Sequence, residues 1–281
     1  MLLALTFAAA LAGGDGVVLE APGAAPHSPL RYHFDASGSQ SAEIKVHSGV
    51  ELSIMGKTQR VPTPEITVAL SGTVLSVDEG TARVQVQYGD VQFTPTGVRQ
   101  IDKALEKEVP KMSGIEGVMT LDDRGRSRSV ELDLSRLGDV AREQTETALD
   151  VSQTLVPFPE QAIGVGARWS QSLTTEAQGL QIGSTVTYTL VDRSEHMVTI
   201  RSEVSQSLVG GKLEGLPIPL DVTGINGGGG GTITIDLRKP LPQSSDVRSK
   251  VEMALSASMM GMAMEGTQII ENSVTLSTVT P

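Results

Sequence analysis

Cysteine is absent from the chain. That single fact excludes disulfides, thiolate metal centres and cysteine nucleophiles together. Aromatic residues make up only 3% of the 281 positions, so the core has to be built from Val, Ile, Leu and the ten Met. Basic residues are outnumbered, 22 against 33 acidic ones, for a formal charge of −11. Nucleic acid is therefore not expected as a partner, because phosphate binding needs a basic face. No run reaches the roughly 18 apolar residues of a transmembrane helix. Glycine and proline are abundant, at 30 and 14, which calls for many turns and suits a sheet protein.

Residues 2–12 form a short apolar run ending in Ala10-Leu11-Ala12. This reads as a signal-peptide core with a small-residue cleavage site, and predicts export to the periplasm or the extracellular space. No Cys follows where a bacterial lipoprotein carries its acylated residue, so release is expected rather than anchoring. Residues 13–29, rich in Gly, Ala and Pro, read as a flexible leader.

From residue 30 the apolar positions alternate with period two, the mark of half-buried strands. Leu30, Tyr32 and Phe34 begin, followed by Ile44, Val46, Val50, Leu52 and Ile54 with Ser48 in the same row. A hairpin is predicted around Asp78-Glu79-Gly80 and another around Asp122-Asp123-Arg124-Gly125. Residues 98–109 change to helical spacing, with Val98, Ile101, Leu105 and Val109 on one face, and a second helix is predicted over 136–153. Further strands are expected at 169–173, 186–190, 198–200, 233–237, 251–255 and 274–276, with 209–231 as a Gly/Pro-rich loop.

The chain repeats itself at an offset of 114. Val77-Asp78, Val84 and Val86 match Val191-Asp192, Val198 and Ile200; Gly117-x-Met119-Thr120-Leu121-Asp122-x-Arg124 matches Gly231-x-Ile233-Thr234-Ile235-Asp236-x-Arg238. Two separated blocks at one offset indicate a duplicated β half. The joint between halves is Val156-Pro157-Phe158-Pro159, running through Gly164 and Gly166 to Trp169. Two prolines two apart forbid helix, and the glycines permit a turn before a strand restarts. The expected organisation is thus a first repeat over 30–155 and a second over 156–281.

The segment Pro157-x-Pro159-x-x-Ala162-x-Gly164-Val165-Gly166-Ala167-x-Trp169, together with the Gly117 to Gly125 run, resembles an uncharacterised family of bacterial secreted proteins and lipoproteins. Its members carry a Pro-rich, Val-Gly-x-x-Trp segment between two related β halves. The resemblance implies an envelope protein without an assigned activity, so it transfers no catalytic residue.

Chemistry-bearing motifs are few. The histidines His27, His33, His47 and His196 have no metal-ligand spacing, and neither a Gly-x-Ser-x-Gly elbow nor a Ser-x-x-Lys pair occurs. The run Gly227–Gly231 precedes a strand, not the Lys-Ser/Thr helix start of a phosphate-binding loop. Trp169 is a ligand-stacking candidate whose competing reading is a core plug. The methionines Met253, Met259, Met260, Met262 and Met264 are candidates for an adaptable apolar contact; their thioethers also suit Cu(I), though no His or Cys accompanies them. No cofactor and no metal site are expected.

The fold expected is mostly antiparallel β, from two related halves, as a curved sheet or half-barrel around the helix at 98–109 or else as a sandwich, with one or two helices. The function expected is non-enzymatic: an exported envelope protein that holds an apolar or lipid-like molecule in a concave sheet face, or a structural module with a packed interior whose partner is an envelope protein.

Overall fold

The computed structural model describes residues 16–135, 155–177, 179–211, 220–259 and 262–279. The predicted signal segment, the predicted helix over 136–153 and Met260 lie outside the described residues.

Among the described residues thirteen strands form one sheet. In the first half these are β1 (Val17–Ala21), β2 (Ser39–Ile54), β3 (Lys57–Val61), β4 (Glu65–Asp78), β5 (Thr81–Phe93), β6 (Glu116–Asp122) and β7 (Ser127–Leu132); a helix, α1 (Arg99–Glu108), separates β5 from β6. In the second half they are β8 (Arg168–Ala177), β9 (Leu180–Arg193), β10 (Met197–Gly211), β11 (Leu220–Asp236), β12 (Ser244–Met259) and β13 (Met262–Val279). The order is β1-β8-β9-β10-β11-β12-β13-β2-β4-β5-β6-β7, with β3 on β2. Neighbours are antiparallel throughout, and β13 zips onto β2 from Gly266↔Ile54 to Val279↔Ser41, joining the halves into one sheet in place of a two-sheet sandwich.

The repeated sequence blocks occupy equivalent places. β4, β5 and β6 correspond to β9, β10 and β11. Val84 pairs with Met119, while its counterpart Val198 pairs with Ile235, two residues beyond the counterpart of Met119. A slip of two keeps every side chain on its own face. The turns after β6 and β11 are built alike: Asp122 accepts from the Arg124 and Arg126 backbone N–H groups, and Asp236 from that of Arg238.

These twin turns anchor two extended segments. Tyr32 N–H donates to Asp123 O, whereas His33 and Asp35 donate to Leu237 O and Arg238 O. Phe158 N–H donates to Arg124 O. Leu30, Tyr32 and Phe34 are buried as their alternation predicts, but they are not a strand, because successive amides reach two different turns. Proline-rich backbone cannot complete a ladder, so arginines satisfy its carbonyls. Arg31 reaches Pro159 O and Glu160 O at 3.0 and 2.8 Å, Arg193 reaches Pro29 O at 2.9 Å, and Arg124 Nε reaches Phe158 O at 2.9 Å.

Between these segments the few aromatics are concentrated. Phe34, Tyr32, Phe158, Trp169 and Tyr188 form one ladder, with centroid separations of 5.2, 4.8, 6.3 and 5.7 Å. With Tyr88, six of the eight rings in the chain are thus buried in the larger core, which draws on β4, β5 and β6 as well as β8, β9 and β10. The expectation that the sheet curls around the helix at 98–109 is corrected: α1 has no buried residue, and Leu105 packs only partly against this core. The joint and the 30–34 segment take the place assigned to the helix, because they carry the bulkiest apolar side chains.

Two other expectations change. Val17–Ala21, placed in a flexible leader, is β1 and pairs with β8, setting Leu19 opposite Trp169. Within 209–231, the glycine run is not a loop: Gly227–Gly231 lies inside β11, bonded to β10 on one side and β12 on the other. Glycine is required there by close approach. A β-carbon on Gly231 would meet the Asp246 carbonyl oxygen, with Val247 Cα at 2.7 Å, and one on Gly230 would meet Ser202 O at 2.5 Å. The run is a crease in the sheet.

One test of the twin turns follows from Asp236. Its carboxyl is held below the ordinary aspartate range, first by the hydrogen bond from the Arg238 side chain, at 3.0 and 2.8 Å, and also by the Arg238 amide and charge. A depressed folded pKa brings stability that is present above the unfolded value and lost as pH falls through the folded one. Asp236→Asn is expected to cost about 1–2 kcal/mol at pH 7. Urea denaturation should show wild type and variant converging well below the ordinary aspartate value of roughly 3.9; a gap that stays constant with pH would refute the assignment.

Candidate functional site

The inner face of the sheet is a set of lateral rows, one residue per strand, because antiparallel partners share a face. Toward the turn-bearing end, Leu190, Ile200, Ile233, Leu276 and Ile44 belong to the larger core. Toward the other end lies a second, smaller core of Val50, Leu180, Ile182, Val222, Ile225, Val251, Met253, Leu255 and Ile270. All nine are strand residues. No inserted segment contributes to this core among the described residues, in contrast to the larger one.

A polar row separates the two cores. It runs Gln171, Val186, Val204, Gly229, Ser249, Asn272, Ser48, each opposite the next across the ladder. Ser48 and Asn272 are 6% and 8% exposed, and Ser48 Oγ donates to Asn272 Oδ1 at 2.7 Å. The amide Nδ2 of Asn272 is buried without a hydrogen-bond partner. In the neighbouring rows Gln206 Nε2 donates to Ser184 Oγ at 3.2 Å, and Tyr188 Oη is buried without a partner. Burial pushes the Tyr188 phenol up, so it stays a neutral group. Among the described residues, these inner rows hold no charged side chain.

The sequence candidates fall on the two sides of the polar row. Trp169 is fully buried in the larger core, stacked on Tyr188, and its Nε1 donates to Pro157 O at 2.8 Å. It is closed off from solvent and holds the joint to β8. Met253 is fully buried in the smaller core. Met259, opposite Met262, and Met264, opposite Ala257, occupy the β12–β13 hairpin at the far end of that core. Beside it, Gly266 pairs with Ile54 at the β2–β3 turn, where Ile54 and Met55 are 43% and 76% exposed. The structure therefore places the tryptophan and the methionines on opposite sides of the polar row, Trp169 in the row next to it and the methionines beyond it in the smaller core and at its hairpin.

Sequence reasoning placed Ser48 on the apolar row but missed Asn272, Gln206 and Ser184. The signal was present as polar residues at inward parity; their meeting across strands was not.

On the outer face at the same level, a depression of about 430 Å³ lies over Gly49 and Gly228, walled by His47, Arg248 and Lys250. Lys250 is paired with Glu271 at 2.9 Å, which leaves little net charge there. Among the described residues no group of three or more His, Asp or Glu converges to hold a metal, and no helix is long and apolar enough to cross a membrane. The sequence matches no model of a known protein family and has no significant match among curated proteins.

Proposed function

We propose that this is a non-enzymatic exported protein of the cell envelope that binds an apolar or lipid-like molecule at the methionine-bearing end of its sheet. Export rests on the apolar run at residues 2–12. The observation that carries the binding reading is the contrast between the cores. The chain fills the larger one with its own joint and aromatic ladder, whereas among the described residues the smaller is lined by strands alone and runs out to Ile54 and Met55 at a hairpin edge. Aliphatic side chains with the Met253 thioether among them adapt to varied apolar shapes.

A fluorescent neutral lipid probe should bind saturably to the purified protein. The exposed pair Ile54→Ser with Met55→Ser should weaken it about tenfold, equivalent to about 1.4 kcal/mol, without changing the far-UV circular dichroism. Absence of saturable binding would remove this reading. The filled larger core favours a second one, a structural module that meets an envelope protein through its surface; in that case the probe fails and crosslinking in the host recovers a protein neighbour.

A further inference from the structure

We infer that the bound molecule is an uncharged amphiphile held head-inward, placing a hydrogen-bond-accepting end against Asn272 and its apolar chain along the smaller core. This rests on the proposed binding of an apolar ligand and adds its chemical class and orientation.

The inner rows set both. Along β2, the inward positions Ser48, Val50, Leu52 and Ile54 lead from the polar row to the hairpin edge, a path of about 20 Å at roughly 3.4 Å per residue. Along β13, Asn272, Ile270 and Gln268 run beside them, and along β12, Ser249, Val251, Met253 and Leu255. The path is apolar apart from Gln268 midway along it, and polar again at its inner end. There the Asn272 amide, 8% exposed, has its oxygen occupied by Ser48 and its Nδ2 unpartnered. A buried donor without an acceptor is costly, and an acceptor brought by a ligand relieves that cost.

Charge decides the class. A carboxylate or phosphate carried to this row would be buried with no cation on the inner face to pair with it, which is strongly unfavourable. A hydroxyl or ester oxygen carries no such penalty. Fatty alcohols and neutral esters fit; ionised fatty acids and phospholipid headgroups do not.

The test is displacement of the fluorescent neutral probe by dodecanol, dodecane and dodecanoate at pH 8, with wild type and with Asn272→Leu. Dodecanol is expected to compete at least tenfold more strongly than dodecane, and dodecanoate to be the weakest. Asn272→Leu should reduce dodecanol to the level of dodecane while dodecane is unchanged. Asn272→Ser, which keeps a donor and is the milder change should the leucine variant fold poorly, should retain part of the preference. If the probe and all three compounds fail to bind wild type, the underlying binding reading is lost. If they bind with no preference for the alcohol, if dodecanoate binds best, or if a folded Asn272→Leu keeps the preference, binding stands and the head-inward assignment is overturned.

Discussion

Trp169→Ala is expected to lower the unfolding free energy by about 3–5 kcal/mol, the range for removing a large buried aromatic side chain. The ring is fully buried and touches both Phe158 and Tyr188, so its loss opens the middle of the aromatic ladder. It also leaves Pro157 O, which accepts from Nε1, without that donor. Trp169→Phe separates the two effects: it restores much of the packing but not the hydrogen bond, and should cost about 1–2 kcal/mol. Urea denaturation followed by far-UV circular dichroism measures both. A folded Trp169→Ala protein of unchanged stability would contradict the role of the joint as the filling of the larger core.

The second large effect concerns the glycine crease. Gly231→Val should be at least as damaging as the tryptophan deletion, because its β-carbon is directed at the Asp246 carbonyl and the Val247 Cα of β12, and backbone in a central ladder cannot yield as a flexible side chain does. Overpacking typically costs about 1–3 kcal/mol and more where backbone has to shift. Gly228→Ala is the internal control. Its nearest neighbour would be Val204 O at 3.7 Å, an ordinary contact, and the change should be neutral or slightly stabilising. Equal tolerance at both positions would show that the run is not a crease. Thermal unfolding and soluble yield of the two variants decide the matter.

These predictions mark where pattern reading stops. The hairpins at Asp78-Glu79-Gly80 and Asp122–Gly125 were legible because turn residues sit between alternating rows, and α1 was legible from its change of period. The glycine run misled for a physical reason: five residues without side chains carry no alternation, so nothing in them distinguishes a loop from a strand pressed between two others. Val17–Ala21 was hidden by the Gly/Pro composition around it, and its pairing with β8 joins residues about 150 apart in sequence.

The candidate site divides in the same way. Methionines at 259–264 and the lone tryptophan stand out in composition, and a local reading groups both as ligand contacts. The register puts them on opposite sides of the polar row, the tryptophan in the larger core and the methionines at the hairpin end of the smaller one. Asn272 draws no notice in the sequence, since one polar residue at inward parity is common in strands. It becomes significant once β13 lies against β2 and its amide is shut in beside Ser48.

Alternation, turn chemistry and the 114-residue repeat were sufficient to specify an antiparallel β-protein of two related halves, because side-chain period and turn conformation are local properties of the chain. Whether those strands formed one sheet or two, and which segment filled the larger core, were decided by tertiary structure. Each depends on which strand edges meet and how sharply the sheet folds at its glycines, and edge pairing is a long-range choice that no local pattern contains.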